Sequence, residues 1–215
     1  MQYLEEFYKQ VETVGVVPVV VLDDAADALP LADALVQGGL PAAEVTFRTA
    51  AAADSIRAIA QAHPDVLVGA GTVLDPQQAE EAVAAGARFI VSPGFSPEVV
   101  DWCLEHEVPQ IPAGITPTEI TWLIERGLDV TKYFPASLYG GLAGIKTLAS
   151  VFVGHRFMPT GGIKQADLDE YLGCPSIIAC GGTWITKSDL VRSGRFDEVA
   201  RLAGDAAAAV HRIRA

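Results

Sequence analysis

The chain has 215 residues, of which 50% are hydrophobic and 20% charged, and its formal net charge is −12. This composition excludes a disordered tract, and the acidic balance argues against nucleic acid and anionic membranes as partners while leaving a small anionic substrate open, since local backbone dipoles hold an anion against the overall field. No uninterrupted apolar stretch reaches the ~18 residues that span a bilayer, and the length suits one large core, so a single domain over 1–215 is expected.

The first segment, MQYLEEFYKQVETVG, carries charges throughout and lacks the basic-then-apolar order of a signal peptide. It sets Leu4, Phe7, Val11 and Val14 at helical spacing, which predicts an extra N-terminal helix. A short β-rich run then recurs roughly every 20–25 residues. The runs are VPVVVL from Val17, AAEVTF from Ala42, VLVGAG from Val66 and RFIVSP from Arg88. PQIPAG from Pro109, DVTKYF from Asp129, RFMPTG from Arg156 and SIIACG from Ser176 complete the series. Helical patterns separate them. DALPLADALVQGG ends in a Gly pair suited to a helix C-terminus. DPQQAEEAVAAGA opens with Asp75 as N-cap and Pro76 at the first helical position, and SPEVVDWCLEHE opens in the same way with Ser96 and Pro97. FDEVARLAGDAAAAVHRI closes the chain as an Ala-rich amphipathic helix. Eight strands alternating with helices in about 200 residues predict an α/β fold, a compact (β/α)₈ TIM barrel. An open doubly wound sheet is disfavoured by the lack of GxGxxG after the first strand.

Cys103, Cys174 and Cys180 form no CxxC, and His63, His106, His155 and His211 are scattered. Neither a disulfide framework nor a metal site is expected, and the cytoplasm is the expected location. Cys103, Trp102, Trp122 and Trp184 read as packing residues.

Barrel chemistry sits at the C-terminal ends of the strands. On the second strand, Glu44, Thr46 and Arg48 alternate with Val45 and Phe47, which predicts that all three polar side chains share the inner face. The carboxylate and guanidinium would then lie roughly 13 Å apart by strand rise. Thr72 ends the third strand, and Pro93 and Gly94 end the fourth. The sixth carries Lys132 and Phe134 on one face. An interior lysine has two readings: half of a buried salt bridge with Glu44, or a nucleophilic amine kept neutral by desolvation and able to form a Schiff base with a ketone. The seventh strand ends in PTGGI, with Thr160, Gly161 and Gly162. The eighth ends in CGGTWI, with Gly181, Gly182 and Thr183. Loops after these two strands frequently bind phosphate in barrels, so matched Gly pairs there point to a phosphate site.

EVTFRT, GAGTV, VSPGFS, KYFPA, PTGGI and GGTW occur in this order, and with them the chain resembles the 2-keto-3-deoxy-6-phosphogluconate (KDPG) and 4-hydroxy-2-oxoglutarate (KHG) aldolases from about Val16 to Gly194. The resemblance implies a Schiff-base aldolase on a TIM barrel, with Lys132 as the imine-forming lysine and Glu44 as its acid/base. It further implies that Arg48 binds the substrate carboxylate, that Thr72 lies near that carboxylate in the substrate site, and that Pro93 and Phe134 line the pocket. Thr160, Gly161 and Gly162 would line the loop after strand seven, and Gly181, Gly182 and Thr183 would hold phosphate. The partners implied are a 2-keto acid and an aldehyde phosphate, with no metal or organic cofactor, in a homotrimer. Two positions depart from the family pattern. PAGITP carries Ala113 where relatives often have glycine, and Val21, Leu22 and Asp23 stand where many have an arginine.

The residues alone leave two other readings open. One is a phosphate-binding isomerase that uses Glu44 as base and needs no imine. The other is a metabolite-binding barrel without turnover. Within the aldolase reading, the galactonate epimer of the phosphogluconate derivative is an alternative substrate.

Overall fold

The computed structural model describes residues 1–214; residue 215, the last position of the expected domain, lies outside them. Eight strands run through the described residues: β1 (Val16–Val20), β2 (Ala42–Thr46), β3 (Leu67–Gly71), β4 (Ile90–Val91), β5 (Gln110–Ile111), β6 (Val130–Tyr133), β7 (Arg156–Pro159) and β8 (Cys180–Gly182). Helix α1 (Gln2–Val14) precedes them. Helices α2 (Ala28–Gln37), α3 (Ala52–Ala62), α4 (Pro76–Ala84), α5 (Pro97–Glu105), α6 (Pro117–Glu125), α7 (Gly141–Val151) and α8 (Leu168–Leu172) follow the first seven strands in turn. A short α9 (Ser188–Arg192) and the long α10 (Phe196–Arg214) follow the eighth.

All strand pairings are parallel. Six strands pair in the order β5-β4-β3-β2-β1-β8, and β6 pairs with β7. Isolated parallel bridges, Ala113↔Lys132 on one side and Phe157↔Ile177 with Thr160↔Gly181 on the other, close the ring. This is the expected (β/α)₈ barrel with its extra N-terminal helix. The strand bounds are narrower than the β-rich runs predict: the run from Arg88 contributes Ile90–Val91 to the ladder, and the run from Pro109 contributes Gln110–Ile111.

Alternation along each strand divides the core in two. Val68 and Ala70 face the helices, whereas Leu67 faces the barrel interior with Phe89, Ile111, Val130 and Met158. The interior layer is completed from below by Leu4, Phe7, Tyr8 and Val11 of α1, three of the four positions read from sequence plus Tyr8, whose hydroxyl donates to the Gln110 carbonyl at 3.2 Å. At the opposite end, helix starts are capped by side chains: Asp75 accepts from Gln78 N–H, and Ser96 from Val99 N–H, each followed by proline. Thr116 and Glu119 form a capping box at α6. No helix of the described residues is long and apolar enough to cross a membrane.

Cys103 is fully buried and its thiol is pushed up to about 12 by desolvation, which agrees with a packing role. Trp102 is partly buried and stacks on His106. Trp184 packs partly buried against the core. Trp122 departs from expectation: it is 44% exposed, because α6 turns it outward, where its ring meets that of Phe95.

His155 gives the fold an acid sensitivity. It is buried with Nε2 2.6 Å from the Thr131 hydroxyl and its ring edge-on to Phe157. Desolvation lowers its pKa to about 4, with Arg156 adding to the shift and Asp129 opposing it. The unfolded chain takes up this proton near the ordinary 6.5, the folded chain only near 4. Stability contributed by the neutral ring is therefore complete above about 6.5 and is lost progressively down to about 4. Denaturant midpoints at pH 7 and pH 4.5 are expected to fall less in His155→Gln than in the unaltered protein. Equal falls would show that other groups carry the acid response.

Candidate active site

In β6, Val130 belongs to the interior layer and Tyr133 to the outer one, so alternation turns Lys132 inward. In β2, Ala43 and Val45 pack outward and Glu44 turns inward. The two side chains meet across the barrel: Lys132 Nζ lies 2.9 Å from Glu44 Oε1. Lys132 is 4% exposed and Glu44 is 0%, so this ion pair is removed from water. Breaking a buried pair by removing one partner leaves an uncompensated charge and costs about 3–5 kcal/mol. Glu44 Oε2 is buried without a hydrogen-bond partner. The Lys132 ammonium also sits 5.5 Å from the centroid of the Phe134 ring, within cation–π range.

Around this pair lies the barrel mouth. Strand β2 ends at Thr46, whose hydroxyl donates to the Val20 carbonyl. The expectation that Glu44, Thr46 and Arg48 share one strand face is corrected here. The chain leaves the ladder at Phe47, and Arg48 stands exposed on the turn beyond it. There its Nε donates to the Thr72 hydroxyl at 3.4 Å. Thr72 has φ 57, a left-handed conformation rare for a β-branched residue and typically worth about 1–3 kcal/mol of strain. Pro93 and Phe134 line a cleft of about 240 Å³ together with Ala113, Gly114, Glu119 and Tyr139. Burial pushes the Glu119 carboxyl up, but hydrogen bonds from the Thr116 hydroxyl and the Ile115 and Thr116 N–H groups outweigh it and hold the group below the usual range. A larger cleft of about 1040 Å³ lies at the opposite end of the barrel, between α1 and α10, and shares no residue with the Lys132 cluster.

The two Gly pairs differ in structure. Gly161 and Gly162, with φ 92 and 82, form a true turn after β7 that only glycine adopts freely. Its carbonyls at Thr160 and Gly161 accept from the N–H groups of Ala136 and Ser137, which ties it to the loop after β6. Gly181 and Gly182 lie within β8 and are buried, so the expectation of a glycine loop beyond the eighth strand holds only from Thr183, which is exposed. Their lack of side chains accommodates neighbours. The Thr160 hydroxyl, itself buried without a partner, lies against Gly181, and the Trp184 indole lies against Gly182.

A family model for KDPG and KHG aldolase matches residues 8–202. The chain belongs to the KDPG and KHG aldolase family. It is 49% identical to the 2-dehydro-3-deoxy-phosphogluconate aldolase of Treponema pallidum over 91% of this chain and 93% of that one. Among solved structures, it matches the KDPG aldolase of Legionella pneumophila, captured with pyruvate as a covalent carbinolamine, with TM-score 0.88 and 36% identity over 92% of this chain and 96% of that one. It also matches the KDPG aldolase of Zymomonas mobilis with 3-phosphoglycerate, with TM-score 0.87 and 38% identity over 94% and 95% of the two chains.

Both departures from the family pattern have a structural account. Ala113 is buried and bridges Lys132 on the neighbouring strand, so its methyl is absorbed into the rim of the KDPG and KHG aldolase barrel. Asp23, after β1, pairs at 2.7 Å with Arg192 of α9, so a guanidinium still stands beside the segment after β1 but is supplied by a different helix. Sequence reasoning passed over Gly71 and Glu119, both next to the residues it named. The signal for Gly71 is its spacing of two from Gly69 and four from Leu67, which places it inside the barrel. The signal for Glu119 is the TPTE capping pattern.

Proposed function

We propose that this chain is a Schiff-base aldolase of one barrel domain that cleaves 2-keto-3-deoxy-6-phosphogluconate to pyruvate and D-glyceraldehyde 3-phosphate. In the same site it would cleave 4-hydroxy-2-oxoglutarate to pyruvate and glyoxylate. The observation that carries this reading is the desiccated contact between Lys132 Nζ and Glu44 Oε1. Moving one proton along that hydrogen bond produces a neutral amine and a carboxylic acid without burying net charge. The amine adds to the C2 ketone, and Glu44 returns the proton that lets water leave. The resulting iminium accepts the electron pair of the C3–C4 bond once the C4 hydroxyl has lost its proton to Glu44, directly or through a water. The aldehyde departs, the enamine takes a proton at C3, and hydrolysis frees pyruvate and Lys132.

Arg48 and Thr72, joined by their hydrogen bond at the mouth, are suited to the pyruvyl carboxylate. Pro93 and Phe134 would flank the reacting carbons. Thr160, the Gly161–Gly162 turn, the end of β8 at Gly181 and Gly182, and Thr183 would hold the distal phosphate. In this reading the protein works in the cytoplasm as a homotrimer. Leu138, Val151 and Val153 are 79%, 70% and 89% exposed, and burying them against other copies supports assembly.

Incubation with pyruvate and sodium borohydride, followed by peptide mapping, tests the reading. The expected result is a reduced pyruvyl adduct on Lys132. No adduct under conditions where pyruvate binds would leave the isomerase or a non-catalytic binder. An adduct on Lys9, Lys146, Lys164 or Lys187 would keep the chemistry and overturn the site.

A further inference from the structure

Strand β3 reads LVGAG, and its inward positions are Leu67, Gly69 and Gly71. Two glycines on the inner face of a packed barrel sacrifice buried apolar area and backbone order, so something must occupy the space they leave. At Gly69 the occupant is hydrophobic: a Cβ there would lie 2.4 Å from the Phe89 ring. At Gly71 the occupant is the carboxyl group. A Cβ there would lie 2.3 Å from Glu44 Oε1, 2.6 Å from its Cγ and 2.8 Å from its Cδ. The register pairs Thr46 with Gly71 and Glu44 with Gly69, so the Glu44 side chain leans along its strand toward the mouth until it rests on the bare Cα of Gly71. Oε1 is the oxygen that holds Lys132 Nζ. Because Glu44 is fully buried and even its Cγ would be struck, the side chain has no solvent route by which to yield.

We propose that Gly71 is a positioning residue for the acid/base: its missing side chain is the seat that sets the Glu44 carboxylate against Lys132. This rests on the Schiff-base reading above. Gly71 touches no reacting atom itself and acts only through Glu44, so its effect must vanish when Glu44 is gone.

The test is a double-mutant cycle that combines Gly71→Ala with Glu44→Ala. It is read by hydrogen exchange at C3 of pyruvate in deuterium oxide and by borohydride trapping on Lys132. In the Glu44 background, Gly71→Ala is expected to slow exchange by about 10²-fold, the lower end of a general acid–base contribution, while the Lys132 adduct still forms. In the Glu44→Ala background it is expected to cost nothing further. An equal loss in both backgrounds, or no loss in the first, overturns the proposal. Should Gly71→Ala fail to fold, the double variant with Glu44→Ala is the test, since that truncation removes every Glu44 atom the new Cβ would strike. It should fold with the denaturant midpoint of Glu44→Ala alone, and a double variant that also fails to fold overturns the proposal. If the unaltered protein forms no adduct on Lys132, the aldolase reading falls while the packing of Gly71 stands. If it does and Gly71→Ala exchanges at the unaltered rate, only the role of Gly71 falls.

Discussion

Lys132→Ala is expected to abolish both the borohydride-trapped pyruvate adduct and turnover. The loss has no partial form, because the electron sink that breaks the C3–C4 bond is the iminium, and no other lysine approaches Glu44 in the barrel interior among the described residues. Removing Lys132 also strands the Glu44 carboxylate in a site with no exposure, so the variant should lose about 3–5 kcal/mol of stability. Folding and chemistry are separated by adding Glu44→Gln, which neutralises the stranded group. The double variant should recover part of the denaturant midpoint and none of the activity. Turnover by a folded Lys132→Ala protein would refute covalent catalysis at this residue.

Glu44→Gln is the second large effect, with a different signature. The amide keeps the shape of the carboxyl and can still accept from Lys132 Nζ at the Oε1 position, so the imine should still form and trap, more slowly, with water carrying the protons that Glu44 otherwise moves. What it lacks is basicity. Bond cleavage and C3 protonation should slow by about 10²–10⁴-fold, the range of a general acid–base role. Trapping retained with kcat reduced separates a proton-transfer defect from a structural one. A Glu44→Gln protein with near-normal kcat would mean that the acid/base lies elsewhere.

Much of the fold and the central pair were legible in the sequence for identifiable reasons. Strands buried on both faces read as β-branched runs, and the helix starts carry Asp75–Pro76 and Ser96–Pro97, so the alternation of elements was visible. Runs buried on both faces do not mark their own ends, which is why the fourth and fifth strands came out longer than the ladder. Lys132 and Glu44 stood out because a charge inside an apolar run needs a partner. Arg48 was misplaced by extending a spacing of two past the point where the chain leaves the sheet. The two Gly pairs look alike in sequence, yet one is a turn and the other is strand. The difference lies in Thr160 and Trp184, which fill the space at Gly181 and Gly182, and nothing local in the chain announces that. Gly71 was missed for the same reason: a glycine's purpose is written in its neighbour.

The way the ring closes has a mechanical consequence. Six strands form one continuous hydrogen-bonded arc, whereas β6 and β7 form a separate leaf held at each margin by isolated bridges. Lys132 rides on the leaf and Glu44 on the arc. The 2.9 Å bond between them thus ties leaf to arc through the barrel interior, in addition to the bridges at the two margins. In the proposed mechanism the ketone takes the amine out of this bond, so substrate would exchange a tie between leaf and arc for a covalent adduct carried by the leaf alone.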